Sequence, residues 1–224
     1  ILFRLVGSEM CIRDSSETCA LDMIEAKYIR DVENGEIVII TESGIESIKP
    51  SQKVAERPCI FERIYFASPD SIVGNKTVYT YRKALGEQLA NENNITADVV
   101  VPIPDSGVSA AIGFSQKSFI PFELGIIRSH YVGRTFIEPS QTIRQFGVKL
   151  KHSVNKSCIE NKKVILIDDS IVRGTTASKI VKMVYEAGAK EVHLGISCPP
   201  IKHPDFYGID TPNYNELIAS QADL

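Results

Sequence analysis

The amino-acid sequence predicts an α/β protein with a mainly parallel, doubly wound sheet, preceded by a short antiparallel segment. Three observations predict it. Runs at 98–103, 122–127, 163–167 and 191–197 have strand length and are bounded by turn residues, and Val164 to Ile167 is wholly apolar with three β-branched residues. Stretches with helical spacing, at 80–91, around 110–114 and at 177–187, alternate with them, and strands that alternate with helices pair in parallel. Residues 16–50 have another texture: short alternating segments split by Asn34-Gly35 and by Glu42-Ser43-Gly44.

The totals bound the function. A chain of 224 residues with 43% hydrophobic and 24% charged residues holds one large or two small domains around a real core. A formal net charge of −3 argues against a general nucleic-acid binder, which shows a basic excess or stripe. No run of 18 apolar residues is present, so no transmembrane helix is expected. The five cysteines, at 11, 19, 59, 158 and 198, form no Cys-x-x-Cys pair, which fits reduced thiols and a cytoplasmic protein.

Taken in order, residues 1–14 mix charges into an apolar run and do not begin with Met; they are expected to be a foreign segment fused to a reading frame. From Ser16, the runs Ala26 to Arg30 and Glu36 to Thr41 predict a hairpin about Asn34-Gly35, and Ile45 to Ile48 predicts a further strand. So few strands cannot bury their own apolar face. Pro50 to Pro58 is polar and serves as a linker, so the boundaries are set at 1–14, 15–58 and 59–224. Phe61 to Phe66 is strand-like, and Thr80 to Asn91 has helical spacing through Tyr81, Ala84, Leu85 and Leu89. Asp98 to Ile103 is a strand that ends in Pro104-Asp105-Ser106-Gly107, followed by a helix through Ala110, Ala111 and Phe114. Phe122 to Ile127 is the next strand, 128–150 a polar loop, Lys163 to Ile167 a strand, and Glu191 to Ser197 the last one.

Two constellations could carry chemistry. Asp168-Asp169 closes a buried strand. Adjacent residues leaving a strand point to opposite sides, which suits a diol, a cation, or both, rather than one shared proton. Arg173-Gly174-Thr175-Thr176 follows, where a close backbone, two hydroxyls and the N–H groups of a starting helix can surround a phosphate monoester. Each piece alone is equally a capped, solvated turn. The loop 128–150 sets Arg128, Arg134, Arg144 and Lys149 beside Gly133, Tyr131 and Phe136, the composition of a lid that brings cations onto a pyrophosphate while excluding water.

In sequence, Val164–Thr176 (Val-Ile-Leu-Ile-Asp-Asp-Ser-Ile-Val-Arg-Gly-Thr-Thr) resembles the phosphoribosyl pyrophosphate (PRPP) signature of type I phosphoribosyltransferases, in the form found in the amidophosphoribosyltransferase family. Pro104–Gly107 is similar to that family's pyrophosphate-side loop, Tyr131–Pro139 to its flexible active-site loop, and Phe206–Asp210 to a segment downstream of its sheet; the likeness runs from about Ser16 to the last residue. It implies a type I phosphoribosyltransferase fold, preceded by remnant strands of an N-terminal-nucleophile glutaminase domain.

The resemblance also implies residue roles. Asp105, Ser106, Gly107, Asp168, Asp169, Ser170, Ile171, Val172, Arg173, Gly174, Thr175 and Thr176 would bind PRPP. Ser106, Asp168 and Asp169 would hold Mg²⁺, one ion per subunit, and Tyr131, Arg134 and Thr135 would be the catalytic lid residues. The reaction implied is displacement of pyrophosphate from PRPP by glutamine-derived ammonia to give 5-phosphoribosylamine, the entry to purine synthesis. Purine nucleotides would be feedback inhibitors and the full-length protein a homo-oligomer, with neither membrane nor nucleic acid as a partner.

The sequence departs from the family in places. The family's glutaminase uses an N-terminal cysteine; neither Cys11 nor Cys19 is placed for that role, so this chain is not expected to hydrolyse glutamine. One branch holds an iron–sulphur cluster on four cysteines; Cys59 stands at the first of those positions but Asp205 at the second, so no cluster is expected. A nucleobase salvage phosphoribosyltransferase and a PRPP-sensing regulator are the alternatives. The first needs a base-recognising hood and leaves the Ser16 to Pro50 strands unexplained, and the second calls for a basic DNA-binding domain.

Overall fold

The computed structural model describes residues 2–5, 11–41, 43–49, 57–129, 152–205, 209, 211 and 213–221. They form two compact units, residues 1–79 and 80–224.

In the first unit, β1 (Leu2–Leu5) lies between β2 (Cys11–Asp14) and β3 (Lys27–Tyr28), antiparallel to both. A short helix, α1 (Cys19–Asp22), buries Leu21. The expected hairpin about Asn34-Gly35 is not formed. The turn is there, with Gly35 at φ 75°, but β3 pairs with β1, and β4 (Ile37–Thr41) pairs instead with β5 (Gly44–Ile48). Both candidate turns carried glycine, and only pairing partners distant in sequence could choose between them. The 34–35 turn is closed by side chains: Arg30 Nη1 and Nη2 donate to the two Glu36 carboxylate oxygens at 2.8 and 2.7 Å.

The expected strand over Phe61 to Phe66 is a π-helical turn, Glu62–Phe66. Ile64 within it and Ala67 just past its end, three positions apart, are buried, and six residues were too few to separate that spacing from alternation. Beyond it, β6 (Ile72–Val73) and β7 (Lys76–Thr77) form a small hairpin. Glu17 ties it to the earlier chain: its Oε2 accepts from the Ser68 N–H at 2.7 Å and from the Ser71 hydroxyl at 2.8 Å, and Ser71 is fully buried.

The second unit is the α/β part. Helix α2 (Val78–Glu92) enters it, and three parallel strands follow: β8 (Val99–Pro102), β11 (Lys163–Asp168) and β12 (Glu191–Ile196), in the order β12-β11-β8. Phe122 bridges Val100 in parallel and extends the sheet past β8. The single strand expected over Phe122 to Ile127 is thus broken: Glu123 and Gly125 interrupt it, and β9 (Ile126–Arg128) leaves to pair antiparallel with β10 (His152–Val154).

Alternation along the strands builds two cores. Val99, Val101, Val164 and Leu166 face one side, where Ile180 and Val184 of α5 (Thr175–Glu186) and Ile159 of α4 (Lys156–Ile159) cover them. Val100, Ile165 and Ile167 face the other side and meet Ala110, Ala111 and Phe114 of α3 (Val108–Ser118), with Leu89 and Ala90 of α2 beyond. Both faces are covered, which is why these strands are continuous apolar runs. Helices α2 and α3 touch through glycines: a Cβ on Gly86 would stand 1.8 Å from the Ala110 carbonyl oxygen, and one on Gly113 2.0 Å from that of Lys83.

Candidate functional site

The chain runs from β8 through α3 to Phe122 on one side, and from β11 through α5 to β12 on the other. The connections diverge between β8 and β11, so the carboxyl ends of these two strands are the switch point of the sheet, the place where open α/β sheets receive ligands. Two loops leave it: 104–107 after β8 and 168–174 after β11.

Backbone geometry fixes their separation. The Ile103 N–H donates to the Ile167 carbonyl at 2.8 Å, and the Gly107 N–H to the Ile103 carbonyl at 3.0 Å. A Cβ at position 107 would lie 2.3 Å from that Ile167 oxygen. Gly107 therefore serves the site by letting one loop lie against the strand end that carries Asp168. Asp105 is exposed at the tip, with Arg128 of β9 ion-paired to its carboxylate, and Ser106 is half-buried beside it.

The carboxylates depart from the expectation that they point to opposite sides. Strand geometry stops at Asp168 and the chain bends, so the two carboxyls come within hydrogen-bond reach. Burial, reinforced by the charge of Asp169, holds the Asp168 carboxyl far above the usual carboxylate range, near 8. Asp169 is 5% exposed and accepts from the Ser170 hydroxyl at 2.6 Å. The Asp169 N–H donates to Asp168 Oδ1 at 3.0 Å. Residues beyond β12 brace the pair: the Ser197 and Cys198 N–H groups donate to the Asp168 and Asp169 carbonyls, each at 3.0 Å.

Beyond the pair, Gly174 takes a left-handed conformation, φ 73°, that turns the chain into α5. The Thr175 and Thr176 hydroxyls are exposed at its first turn and have no partner among the described residues. The first N–H groups of a helix have no acceptor within it, so this end presents donors and a positive dipole to an anion. All the donors expected to hold a divalent cation are oxygens, the hard set that Mg²⁺ takes, and two neighbouring carboxyls suit a cation between them.

The expected PRPP residues 105–107 and 168–176 thus follow the carboxyl ends of the neighbouring strands β8 and β11. Tyr131, Arg134 and Thr135 lie outside the described residues, as does most of 206–210. Cys59 is exposed in the first unit. In the second, Asp205 organises a local turn: its N–H donates to the Thr211 hydroxyl at 3.1 Å and its Oδ1 accepts from the Ile209 N–H at 3.2 Å. Sequence reasoning missed Ser197 and Cys198, although their place at a strand's carboxyl end was a usable signal. It also missed Glu216, which pairs with Arg173 and for which no local signal exists.

Known proteins are similar to this chain. A family profile described as the phosphoribosyl transferase domain matches residues 72–206. An amidophosphoribosyltransferase from Rhizobium etli is 62% identical over 92% of this chain and 42% of its own length. One from Bacillus subtilis is 52% identical over 92% and 43% respectively. Among solved structures, the glutamine PRPP amidotransferase from B. subtilis complexed with ADP and GMP superposes with a TM-score of 0.87 at 49% identity, covering 99% of this chain and 48% of that one. The chain thus spans less than half the length of the relatives it matches.

Proposed function

The chain belongs to the phosphoribosyl transferase family, and on that footing we propose that it is the PRPP-binding part of an amidophosphoribosyltransferase. The reaction would be attack of ammonia on C1 of PRPP, with loss of pyrophosphate and formation of 5-phosphoribosylamine, in purine synthesis. The observation that carries this is the placing of two loops at the carboxyl ends of neighbouring β8 and β11: an acidic pair beside a helix start, and a second loop held against the same strand end.

Each part has a task. The backbone of 171–174 and the hydroxyls of Thr175 and Thr176 receive the 5-phosphate, while Asp168 and Asp169 face the ribose diol. Asp105, Ser106 and Gly107 shape the pyrophosphate side. Asp168, Asp169 and Ser106 would hold Mg²⁺, which when bound neutralises charge on the pyrophosphate. Tyr131, Arg134 and Thr135 would close over the site and keep water from the reacting carbon. Residues 15–58 would be the end of a glutaminase domain plus linker, and 59–224 the phosphoribosyltransferase domain. The nucleotides bound by the B. subtilis neighbour support purine nucleotides as regulators; the full-length enzyme would be cytoplasmic and homo-oligomeric.

The test is release of pyrophosphate from PRPP with Mg²⁺ and ammonia. Turnover without a nucleobase supports the proposal. Turnover that requires a nucleobase assigns the chain to salvage, and PRPP binding without turnover to a sensor.

A further inference from the structure

The outer side of the phosphate loop is held by a segment far along the chain. A 3₁₀ turn (Tyr214–Glu216) and helix α6 (Ile218–Gln221) reach it through three contacts. The Ile218 N–H donates to the Val172 carbonyl at 2.9 Å. Arg173 donates through Nε to Glu216 Oε2 at 2.5 Å, and its Nη2 ion-pairs with the same carboxylate. A Cβ on Gly174 would touch the Ile218 side chain at 3.2 Å, so that residue packs against the turn.

The segment is itself anchored. Leu217 is fully buried and Ala219 is 3% exposed, and the Ser220 hydroxyl donates to the Tyr214 carbonyl at 2.6 Å. The second Glu216 oxygen accepts from Asn213 Nδ2 at 3.4 Å. These partners hold the Glu216 carboxyl below its usual range, Arg173 first and Asn213 second, so it is ionised at neutral pH.

The consequence for the loop follows from peptide geometry. In a trans peptide the carbonyl of one residue and the N–H of the next point in opposite directions. Anchoring the Val172 carbonyl to Ile218 therefore aims the Arg173 N–H away from α6. An arginine next to a phosphate site would ordinarily be drawn to the phosphate; here its guanidinium is engaged by a carboxylate on another element.

We infer that Glu216 is a positioning residue of the phosphate site: through Arg173, and with the Ile218 N–H, it holds residues 171–174 in the shape that receives a sugar 5-phosphate, without touching the substrate. This rests on the phosphoribosyl reading of the loop. It gives the segment around Glu216 a task in substrate binding and assigns Arg173 to loop shape.

Titration of the whole chain with ribose 5-phosphate tests it, with inorganic pyrophosphate and Mg²⁺ as a second probe addressed to the 104–107 side. Glu216→Gln, which removes the charge and keeps the size, should weaken ribose 5-phosphate binding by roughly three- to tenfold. Pyrophosphate binding and the thermal midpoint should stay near wild type, and Glu216→Asp should recover part of the loss. Leu217 is left intact in both variants, so the segment keeps its anchor.

Unchanged ribose 5-phosphate affinity in Glu216→Gln overturns the inference. Tighter binding also overturns it, since Glu216 would then be withholding Arg173 from the phosphate. Parallel loss of both probes, marking a general structural role, overturns it as well. A wild-type chain that binds neither ribose 5-phosphate nor PRPP overturns the phosphoribosyl reading itself, and the inference with it.

Discussion

Asp168 is the carboxyl proposed to face the ribose diol and Mg²⁺. Its acidity is suppressed by burial first and by Asp169 second, so in the ligand-free chain it opposes folding at neutral pH. The sign is that of an acid whose folded pKa, about 8, lies above the ordinary value near 4. Its destabilising effect is absent below the lower value and grows as pH rises through the window between them. Asp168→Asn should therefore flatten the fall in thermal midpoint between pH 5 and 8 and raise the midpoint at pH 8. The same variant should reduce ammonia-dependent pyrophosphate release by about a hundredfold or more. A variant that is more stable yet inactive is the expected pairing, and retained turnover would remove Asp168 from the site. Cys198, below the pair, is the inert counterpart: burial and then the Asp169 charge push its thiol up to about 11. Alkylation at pH 8, followed by mass spectrometry, should label exposed Cys59 at least about a hundred times faster than Cys198.

At the scale of elements, the site depends on how closely backbones can approach. The α2–α3 contact leaves no room at Gly86 or Gly113, where a methyl group would meet backbone carbonyls that cannot move aside. Gly113→Ala should cost about 2–3 kcal/mol. That lowers the thermal midpoint by roughly 5–10 °C for a chain of this size and leaves ribose 5-phosphate affinity in the surviving folded fraction unchanged. Gly107→Ala differs because its obstacle is the Ile167 carbonyl, one residue before Asp168. Pushing loop 104–107 off that strand end should lower PRPP affinity as well as stability. Equal effects of the two variants on affinity would show that loop separation does not control the site.

Over the whole molecule, stability is unevenly distributed. Val99 to Val101 of β8 and Val164 to Ile167 of β11 are buried on both faces, whereas Ile37, Ile40, Ile45 and Ile48 of the β4–β5 hairpin are 39–51% exposed. Hydrogen exchange followed by mass spectrometry should find the amides of 164–167 the slowest and those of 37–48 among the fastest, because local opening costs least where little apolar surface is buried. The exposed isoleucines agree with the expectation that so few strands cannot bury their own face, and with the proposal that they are the end of a larger domain.

What the sequence determined alone were features carried by short, contiguous patterns. Buried runs such as Val164 to Ile167, the helical spacing of 177–187 and the signature through Thr176 depend on neighbours a few residues away, and such patterns mark both loops of the proposed site. The tertiary structure decided what depends on distant partners. It chose β5 over β3 for β4, turned Glu62–Phe66 into a helical turn around buried Ile64, and broke the strand after Phe122 to send β9 toward β10. It also bent the chain at Asp169 so that two carboxyls meet, and brought Glu216 across 43 residues to Arg173. Periodicity records which face of an element is buried; which element buries it, and which charge meets which, is settled only when the chain closes on itself.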